Sequence, residues 1–442
     1  MMFSGITQAQ DTSTINAGDT AWVLVSSALV MFMTPGLAFF YAGLIRRKNA
    51  LNAIMMSFSA LGVISLLWVT VGYSLAFAPG NALIGGLQWV GLRGVGLTAN
   101  PDYSATIPHQ AFMVYQMMFA IITPAVISGA IVERMKFKAY LLFMVLWSLL
   151  IYAPLAHWVW GTGGWLRNLG LIDFAGGTVV EIASGMSALA AAFVVGSRRG
   201  YPKAVFVPHN VPLVMLGAGI LWFGWFGFNA GGSLAGNGVA VAAFVNTNLG
   251  AAAALSVWML LELLRIGKPT AVGAATGAVV GLVAITPGAG FVEPFAAIVI
   301  GGIATLVSYS VIQMKTRLRA DDSLDVFACH GTAGIVGTLL LGVFATKTVN
   351  AFGADGFLYG NAGQIGIQAI GVLAAATFAF LGTSVILLLL KATIGIRTSN
   401  ANEEEGLDLT EHGETAQHEG DFGFSNASSA LGSSVVLQLN KD

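Results

Sequence analysis

The chain has 442 residues, of which 56% are hydrophobic and only 9% are Asp, Glu, Lys or Arg, and its formal net charge is −1. This composition excludes an ordinary water-soluble domain, in which about a quarter of the residues are charged. The near-zero net charge by itself indicates no particular partner. We therefore expect an integral membrane protein in contact with a lipid bilayer.

Eleven apolar stretches are each long enough to cross a hydrocarbon core of about 30 Å as a helix of about 20 residues. In chain order they are 20–45, 51–78, 112–132, 137–158, 175–196, 211–229, 239–264, 270–287, 293–314, 328–346 and 366–391. The predicted fold class is all-α integral membrane. The predicted organisation is an extracytoplasmic segment 1–19, a membrane domain 20–391 and a cytoplasmic tail 392–442.

The basic residues are concentrated in alternate loops, as expected for loops that face the cytoplasm. The concentrated set is Arg46, Arg47, Lys48, Arg134, Lys136, Lys138, Arg198, Arg199, Lys203, Arg265, Lys268, Lys315, Arg317, Arg319, Lys391, Arg397 and Lys441. The opposite loops contain only Arg93, Arg167 and Lys347. This asymmetry predicts a multi-pass protein of the cell membrane, with its N-terminus outside and its C-terminus in the cytoplasm. Residues 1–19 do not have the pattern of a cleavable signal peptide, so we expect the first helix to insert unprocessed.

Motifs for cofactors and metals are not evident. Cys329 is the single cysteine, which excludes an intrachain disulfide framework and a site built from paired thiolates. The segment 267-GKPT-270 matches a phosphate loop by chance, because Glu262 stands where the first glycine is needed and Pro269 follows the lysine. We expect no cofactor, no metal and no enzymatic activity.

The fifth and tenth predicted helices carry the same pattern and enter the membrane from opposite sides. In 173-DFAGGTVVE-181 an Asp precedes Glu181 by eight positions, and in 322-DSLDVFACH-330 an Asp precedes His330 by eight. Eight residues of helix advance about 12 Å, so both ionisable side chains reach the middle of the membrane. This pattern predicts an inverted repeat of two five-helix halves followed by a final helix, with the functional site between the halves.

Glu181 is unfavourable in a membrane, by about 2.5–3.5 kcal/mol on insertion scales, so it must be protonated, paired or beside a polar cavity. His330 is the expected partner, and a coupled acid–imidazole pair suits the handling of a proton. The structural alternative is a contact that only joins two helices. Asp173 and Asp322 precede their helices, and we expect each to cap free N–H groups rather than to bind solute.

Six stretches resemble, in order, motifs of the ammonium transporter/Rh family, in particular its bacterial and archaeal ammonium transporter branch. They are 32-FMTPGLAFFYAGLIRRKN-49, 68-WVTVGYSLAF-77, 171-LIDFAGGTVV-180, 208-PHNVPLVMLGAGILWFGWFGFNAG-231, 325-DVFACHGTAGIVG-337 and 406-GLDLTEHGE-414. The resemblance runs from about Asp19 to His412. It implies an eleven-helix protomer that forms homotrimers, each protomer having a narrow hydrophobic pore for ammonium or ammonia.

Carried over position by position, the resemblance assigns an outer recruitment site to Trp160, with the aromatic wall of Phe119 beside it. An indole face attracts a cation by about 0.5–2 kcal/mol. The stacked pair that blocks the pore entrance corresponds to Phe119 and Phe228. Gly232 departs from the family pattern, since a serine usually follows the glycine of the Asn-x-Gly motif. In 229-NAGGS-233 the hydroxyl is displaced to Ser233, so outer binding is either weaker or assisted by water.

The second departure is Glu181, which stands where most family members carry the first histidine of a twin-histidine pore pair. Some fungal members are similar in having Glu there, so the exchange does not by itself signal loss of transport. In the predicted mechanism, ammonium binds near Trp160 and loses its proton below the phenylalanines, because an apolar pore is unfavourable for a bare cation. Ammonia then crosses the pore, and the proton passes through Glu181 and His330, which makes transport electrogenic.

Two other functions are open at this point: an ammonium sensor with little flux, and a neutral pore for ammonia or carbon dioxide. Sensor members often carry an appended signalling domain, for which we expect no room after residue 391. The aromatic site resembles the ammonium-recruiting branch rather than the gas-conducting branch. The acidic tail motif 403-EEEGLDLTEHGE-414 resembles the segment that couples subunits and contacts PII nitrogen-signalling proteins. We expect no nucleic-acid partner.

Overall fold

The computed structural model describes residues 14–315 and 320–416. Within these ranges the chain is mostly helical, and ten helices are long and apolar enough to cross a membrane. An eleventh apolar helix, Ala271–Ile285, has 15 residues. Three of the predicted cytoplasmic basic residues lie outside the described ranges, as do the beginning of segment 1–19 and the end of the tail. These basic residues are Arg317, Arg319 and Lys441.

The helices are numbered here in chain order, and several consist of consecutive segments. Their bounds are α1 Ala17–Leu44; α2 Ala50–Leu67, Trp68–Gly72 and Tyr73–Phe77; α3 His109–Ile131; α4 Phe137–Trp147, Ser148–Tyr152 and Ala153–Trp160; α5 Gly177–Ile182 and Ala183–Val195; α6 Val211–Ala230; α7 Gly238–Ile266; α8 Ala271–Ile285; α9 Pro294–Met314; α10 Phe327–Thr332 and Ala333–Phe344; α11 Gly363–Thr393; α12 Asn400–Glu405; and α13 Leu407–His412. Two short antiparallel strands, β1 Ala99–Asn100 and β2 Ser104–Pro108, precede α3.

Helix α8 is shorter than the predicted span 270–287, and the sequence supplies the reason at both ends. Thr270 lies just outside the helix, and its hydroxyl oxygen accepts a hydrogen bond from the Gly273 N–H at 2.9 Å, which caps the first turn. At the other end the helix stops at Ile285, two residues before Pro287. Pro287 has no backbone N–H with which to continue the helical hydrogen bonds, so the helix ends before it.

Helices α5 and α10 both begin with a π-helical segment, Gly177–Ile182 in α5 and Phe327–Thr332 in α10. Glu181 and His330 lie within these two segments. Short π-helical turns inside helices are often found at functional sites because they alter which side chains share a face. The two helices therefore start in the same way, although they enter the bundle from opposite ends.

A buried ion-pair network joins the loops at the end of the bundle where α1, α3 and α5 finish. Glu133 accepts hydrogen bonds from Arg46 Nε at 2.7 Å and Arg198 Nη1 at 2.6 Å, and Arg198 Nη2 donates to Asp321 at 2.8 Å. Both carboxylates are fully buried. Burial alone raises the pKa of Glu133, but Arg198 and Arg46 outweigh it and hold that pKa below its ordinary value. The pKa of Asp321 is lowered in the same way, because Arg198 outweighs burial.

The described part of the tail folds back onto the same end of the bundle. The Leu407 N–H donates to Asn49 Oδ1 at 2.8 Å, and the Asn52 N–H donates to Asp408 Oδ1 at 2.7 Å. Asn49 and Asn52 lie at the start of α2, so α13 is held against the loop that follows α1. Up to residue 416 the tail is therefore a docked segment rather than an extended one.

Candidate functional site

A cavity of about 350 Å³ opens at the end of the bundle where α1 begins and α4 finishes. Its wall includes the three residues that the sequence assigned to outer recruitment, Trp160, Phe119 and Ser233, together with Asp173. The Trp160 ring meets the Phe119 ring edge to face, with the ring centroids 6.0 Å apart. The Trp160 indole N–H donates to the Asp173 carbonyl oxygen at 3.0 Å, which fixes the position of the ring. We call this space the outer cavity.

Phe119 and Phe228 close the floor of the outer cavity. Their ring centroids lie 4.4 Å apart at an angle of 43°, and each residue is only 1% exposed. The Tyr115 hydroxyl donates to the Phe228 carbonyl oxygen at 2.7 Å, which ties α3 to the end of α6. The structure thus brings together the two phenylalanines that the sequence assigned to the pore entrance.

Two further cavities continue beyond the phenylalanine pair. The first is lined by Phe228, Glu181 and His330 and by apolar side chains, and its volume is about 20 Å³. A space of that size holds about one water-sized molecule. The second, of about 190 Å³, shares His330, Phe40 and Val279 with the first and reaches the loop before α10. We call these spaces the central passage and the inner cavity.

Glu181 and His330 are in direct contact beside the central passage. The distance from His330 Nδ1 to Glu181 Oε2 is 2.7 Å, and the two residues are 5% and 1% exposed. A carboxylate only accepts hydrogen bonds, so a proton must lie on one of these two atoms. Among the described residues, His330 Nε2 has no hydrogen-bond partner. The pair can therefore hold a proton internally and leaves one ring nitrogen available.

The contact depends on a close approach of two helix backbones. A β-carbon added to Gly185 of α5 would lie 2.1 Å from the backbone nitrogen of Gly331 in α10, so no larger residue fits. A β-carbon added to Gly334 would lie 2.9 Å from the Glu181 β-carbon. Small residues at these positions allow the two ionisable side chains to meet.

Asp173 and Asp322 have the positions expected of helix caps. The Asp173 carboxylate accepts hydrogen bonds from the backbone N–H groups of Gly176, Gly177 and Thr178 at 2.7–2.8 Å. Asp322 Oδ2 accepts from the Phe327 N–H at 2.7 Å. Both carboxylates thus accept hydrogen bonds from N–H groups that the start of a helix leaves without partners. Asp173 also lines the outer cavity.

Gln116 is a residue of the outer cavity that our reading of the sequence missed. It is 8% exposed, and its amide oxygen has no hydrogen-bond partner in the described part of the chain. A buried acceptor without a partner is unfavourable unless water or a ligand supplies a donor. Gln116 lies one helical turn before Phe119, and the spacing of three within 116-QMMF-119 would have placed both on one face of α3.

The helices, the aromatic floor and the three successive cavities define a multi-pass membrane transport protein. The model of the family described as Ammonium Transporter Family matches residues 21–417. The ammonium transporter of Bacillus subtilis is 50% identical over 400 residues, which cover 90% of this chain and 98% of the relative. Ammonium transporter Amt1 of Archaeoglobus fulgidus is 46% identical over 400 residues, covering 90% and 99%.

The fold of the chain is also similar to solved structures. Mep2 of Saccharomyces cerevisiae has a TM-score of 0.83 and 36% identity, covering 90% of this chain and 94% of that one. A sensor Amt protein has a TM-score of 0.82 and 30% identity, covering 89% and 98%. The chain therefore belongs to the ammonium transporter family, which is a family of transporters rather than enzymes. The prediction of the family is confirmed.

The structure shows why position 232 suits a glycine better than the serine that the resemblance led us to expect. A β-carbon added to Gly232 would lie 2.9 Å from the Phe174 carbonyl oxygen. The displaced hydroxyl of Ser233 is engaged locally, because its oxygen lies 2.8 Å from the Ala230 carbonyl and 2.6 Å from the Ala235 carbonyl. Ser233 therefore lines the outer cavity while its hydroxyl hydrogen-bonds the backbone of its own loop.

We expect Gly232→Ser to give no gain in ammonium affinity. The new β-carbon would press on a backbone carbonyl, and such overpacking costs about 1–3 kcal/mol of stability. The measurements are the KM for ammonium uptake and the unfolding midpoint in detergent. Gly232→Ala is the matched control, because it adds the same β-carbon without a hydroxyl. A KM that falls in the serine variant and not in the alanine variant would contradict this account.

Proposed function

We propose that the protein carries ammonium across the cell membrane through the central passage, by separating ammonium into ammonia and a proton and moving both. The observation that carries the proposal is the position of the Glu181–His330 pair beside a passage the size of one small molecule, between two larger cavities. Membership of the ammonium transporter family supports the substrate.

Ammonium binds first in the outer cavity. The aromatic faces of Trp160 and Phe119 attract a cation, and each is fixed by a contact that does not depend on ligand. The free amide oxygen of Gln116 can accept one of the four N–H groups of ammonium. These interactions offset part of the hydration that the ion loses as it reaches the phenylalanine pair.

Ammonia continues through the central passage without the charge. The walls of this passage are apolar apart from Glu181 and His330, so entry of an unpaired cation is unfavourable, whereas a neutral molecule enters readily. The proton released at the entrance passes to the Glu181–His330 pair and then to the inner cavity, where ammonia regains a proton. The sum of the two movements is one positive charge for each ammonium.

The sidedness and assembly are part of the proposal. We assign the outer cavity to the extracytoplasmic side, because the basic loops gather at the opposite end of the bundle. The 15-residue α8 is counted as the eighth of eleven spans, so that α1–α5 and α6–α10 form the inverted repeat and α11 follows it. Family membership supports a homotrimer, and the docked tail supports a cytoplasmic surface that a PII nitrogen-signalling protein could reach.

The test is a simultaneous recording of ammonium uptake and membrane current in lipid vesicles that contain the purified chain. After a step in external ammonium, we expect uptake and an inward current that rise together, with neither in vesicles without protein. Uptake without current would identify a neutral ammonia or carbon dioxide channel. Saturable binding without uptake would identify a sensor, an alternative that the similarity to a sensor Amt protein keeps open.

Trp160→Leu tests the recruitment step in the same vesicles. Losing the aromatic face removes about 0.5–2 kcal/mol of cation binding, so we expect the KM for ammonium to rise roughly two- to thirtyfold. Trp158→Leu is the matched control on the same helix, since the Trp158 indole N–H donates to the Leu83 carbonyl at 2.8 Å and the ring does not line the outer cavity. Equal KM values for the parent and Trp160→Leu would exclude Trp160 from recruitment.

A further inference from the structure

His157 lies in the last turn of α4, and its side chain is completely buried. Its Nδ1 is 3.0 Å from the Ala76 carbonyl oxygen, and its Nε2 is 2.8 Å from the Asn81 carbonyl oxygen. A carbonyl oxygen only accepts hydrogen bonds, whereas a neutral imidazole has one N–H donor and one bare nitrogen. In this position a neutral ring would direct one lone pair at a carbonyl oxygen.

The Ala76 carbonyl is one of those that the end of α2 leaves without helical donors. The last four carbonyls of a helix need partners from elsewhere. The Leu75 carbonyl accepts from the Gly85 N–H and the Phe77 carbonyl from the Tyr103 hydroxyl, and the Ala76 carbonyl oxygen faces His157 Nδ1. His157 therefore completes the hydrogen bonding of this helix end, and a bare nitrogen would leave a gap in it.

Two helix ends favour a positive charge on this ring. The C-terminus of a helix carries about half a negative charge, and a cation within the last turn is stabilised by it. His157 lies in the last turn of α4 and touches the last turn of α2. In the described part of the chain no carboxylate pairs with His157. The titratable groups on the packed segments are Tyr73, Tyr152, Arg167 and Glu181, and Glu181 is paired with His330.

We infer that His157 is a fixed imidazolium that donates from both ring nitrogens, joins the outer ends of α2 and α4, and positions Trp160. Trp160 is the final residue of α4, three positions after His157. The two ring contacts of His157 therefore hold the end of α4, and the Trp160 indole at that end lines the outer cavity. The protonation state of His157 is independent of the proposed transport cycle, whereas its effect on ammonium affinity rests on that cycle.

The protonation state can be read directly. Ala156–His157 is the only Ala-His pair in the sequence, so labelling alanine carbonyls with ¹³C and histidine with both ¹³C and ¹⁵N allows a solid-state NMR experiment to select the His157 backbone nitrogen and pass its signal to this one imidazole. In the full chain in lipid vesicles at pH 7.5, we expect both ring nitrogens to carry a directly bonded proton. One bare nitrogen would overturn the inference.

The positioning role is tested with His157→Gln, which has no charge. We expect its KM for ammonium to rise about tenfold, equivalent to about 1.4 kcal/mol, while the maximal uptake rate stays near that of the parent. His209→Gln is the control, since His209 makes one ring contact, from Nδ1 to the Ile45 carbonyl at 3.0 Å, outside the outer cavity. An unchanged KM in a folded His157→Gln variant would refute the positioning role. If that variant does not fold, the NMR result on the parent still decides the protonation state of His157. A parent chain that shows no ammonium uptake would count against the proposed function and not against the protonation state of His157.

Discussion

Glu181→Gln is expected to lower the ammonium current at least tenfold. Glutamine keeps the size of the side chain and can still contact His330, but it cannot take up or release a proton. The pair is buried and its atoms lie 2.7 Å apart, so water cannot readily replace the missing proton acceptor. A tenfold loss corresponds to a barrier higher by about 1.4 kcal/mol. The measurement is current and uptake recorded together in vesicles.

Glu181→His replaces the carboxyl group with an imidazole, a different group that can also take up and release a proton. We therefore expect uptake to continue with a changed dependence on pH, because two imidazoles titrate as a different coupled pair. The matched control is Ser184→Ala. Ser184 is buried on the next turn of α5, and its hydroxyl contacts only the Glu181 carbonyl, at 3.3 Å. We expect the control to transport like the parent.

Unchanged current in Glu181→Gln would remove the carboxyl group from the proton path. Unchanged pH dependence in Glu181→His, together with a normal Glu181→Gln, would leave only the structural alternative, in which the pair joins α5 to α10. A loss of current with uptake preserved would instead show that ammonia and the proton are separated and that only the proton path is interrupted.

Glu133→Gln is expected to lower the free energy of unfolding by about 3–5 kcal/mol, because it leaves Arg198 buried with one carboxylate instead of two. Glu133 joins the loop after α3 to the loops after α1 and α5. Removing the Glu133 carboxylate therefore weakens the contacts among three loops at once. Chemical unfolding in detergent, followed by tryptophan fluorescence, measures the change. Unfolding at the parent's denaturant concentration would contradict the assignment of this network as a stabilising element.

The same ion-pair network determines whether the stability of the protein rises or falls with pH. Glu133 and Asp321 have pKa values below their ordinary values of about 4.3 and 3.9. A lowered pKa adds stability at pH values above the ordinary value, and this stability is lost as the pH falls through the native value. We expect the parent to lose stability below about pH 4, and Glu133→Gln to lose less of it.

Glu404→Gln provides the control for both measurements. Glu404 pairs with Arg199 at the same end of the molecule, but the two side chains are 68% and 58% exposed. Exposed ion pairs contribute little to stability because water screens them. We therefore expect little change in the unfolding curve of Glu404→Gln, and a large change would show that surface charge, rather than burial, controls stability at this end.

The contact between Glu181 and His330 was predicted from equal spacings of eight residues after Asp173 and Asp322, but the geometry assumed for it was wrong. The helical segments begin only at Gly177 and Phe327, so each spacing of eight residues is only partly helical. The composition indicated apolar helices throughout. Family motifs, rather than periodicity, directed attention to Trp160, Phe119 and Phe228, since single aromatic residues in apolar helices are usually ordinary packing residues.

Other features depend on contacts between distant parts of the chain and were not predictable. The π-helical starts of α5 and α10 follow from how those helices pack. The lack of a hydrogen-bond partner for the Gln116 amide oxygen is visible only when all the residues around it have been placed. The ring nitrogens of His157 contact carbonyl oxygens of residues 76 and 81 positions earlier in the chain, and no local pattern marks such a pair. The predicted span 270–287 ended at Pro287, whereas the helix itself ends two residues earlier, at Ile285.

The close approach of Gly185 and Gly331 has a consequence for movement. Transporters that rock must separate their two halves to expose a site first to one side and then to the other. In the proposed inverted repeat α5 and α10 belong to different halves, and in the structure they touch at backbone level beside the Glu181–His330 pair. Rocking would break both contacts in every cycle. We therefore expect passage without rocking, in which the rings of Phe119 and Phe228, with centroids 4.4 Å apart, are the part that moves.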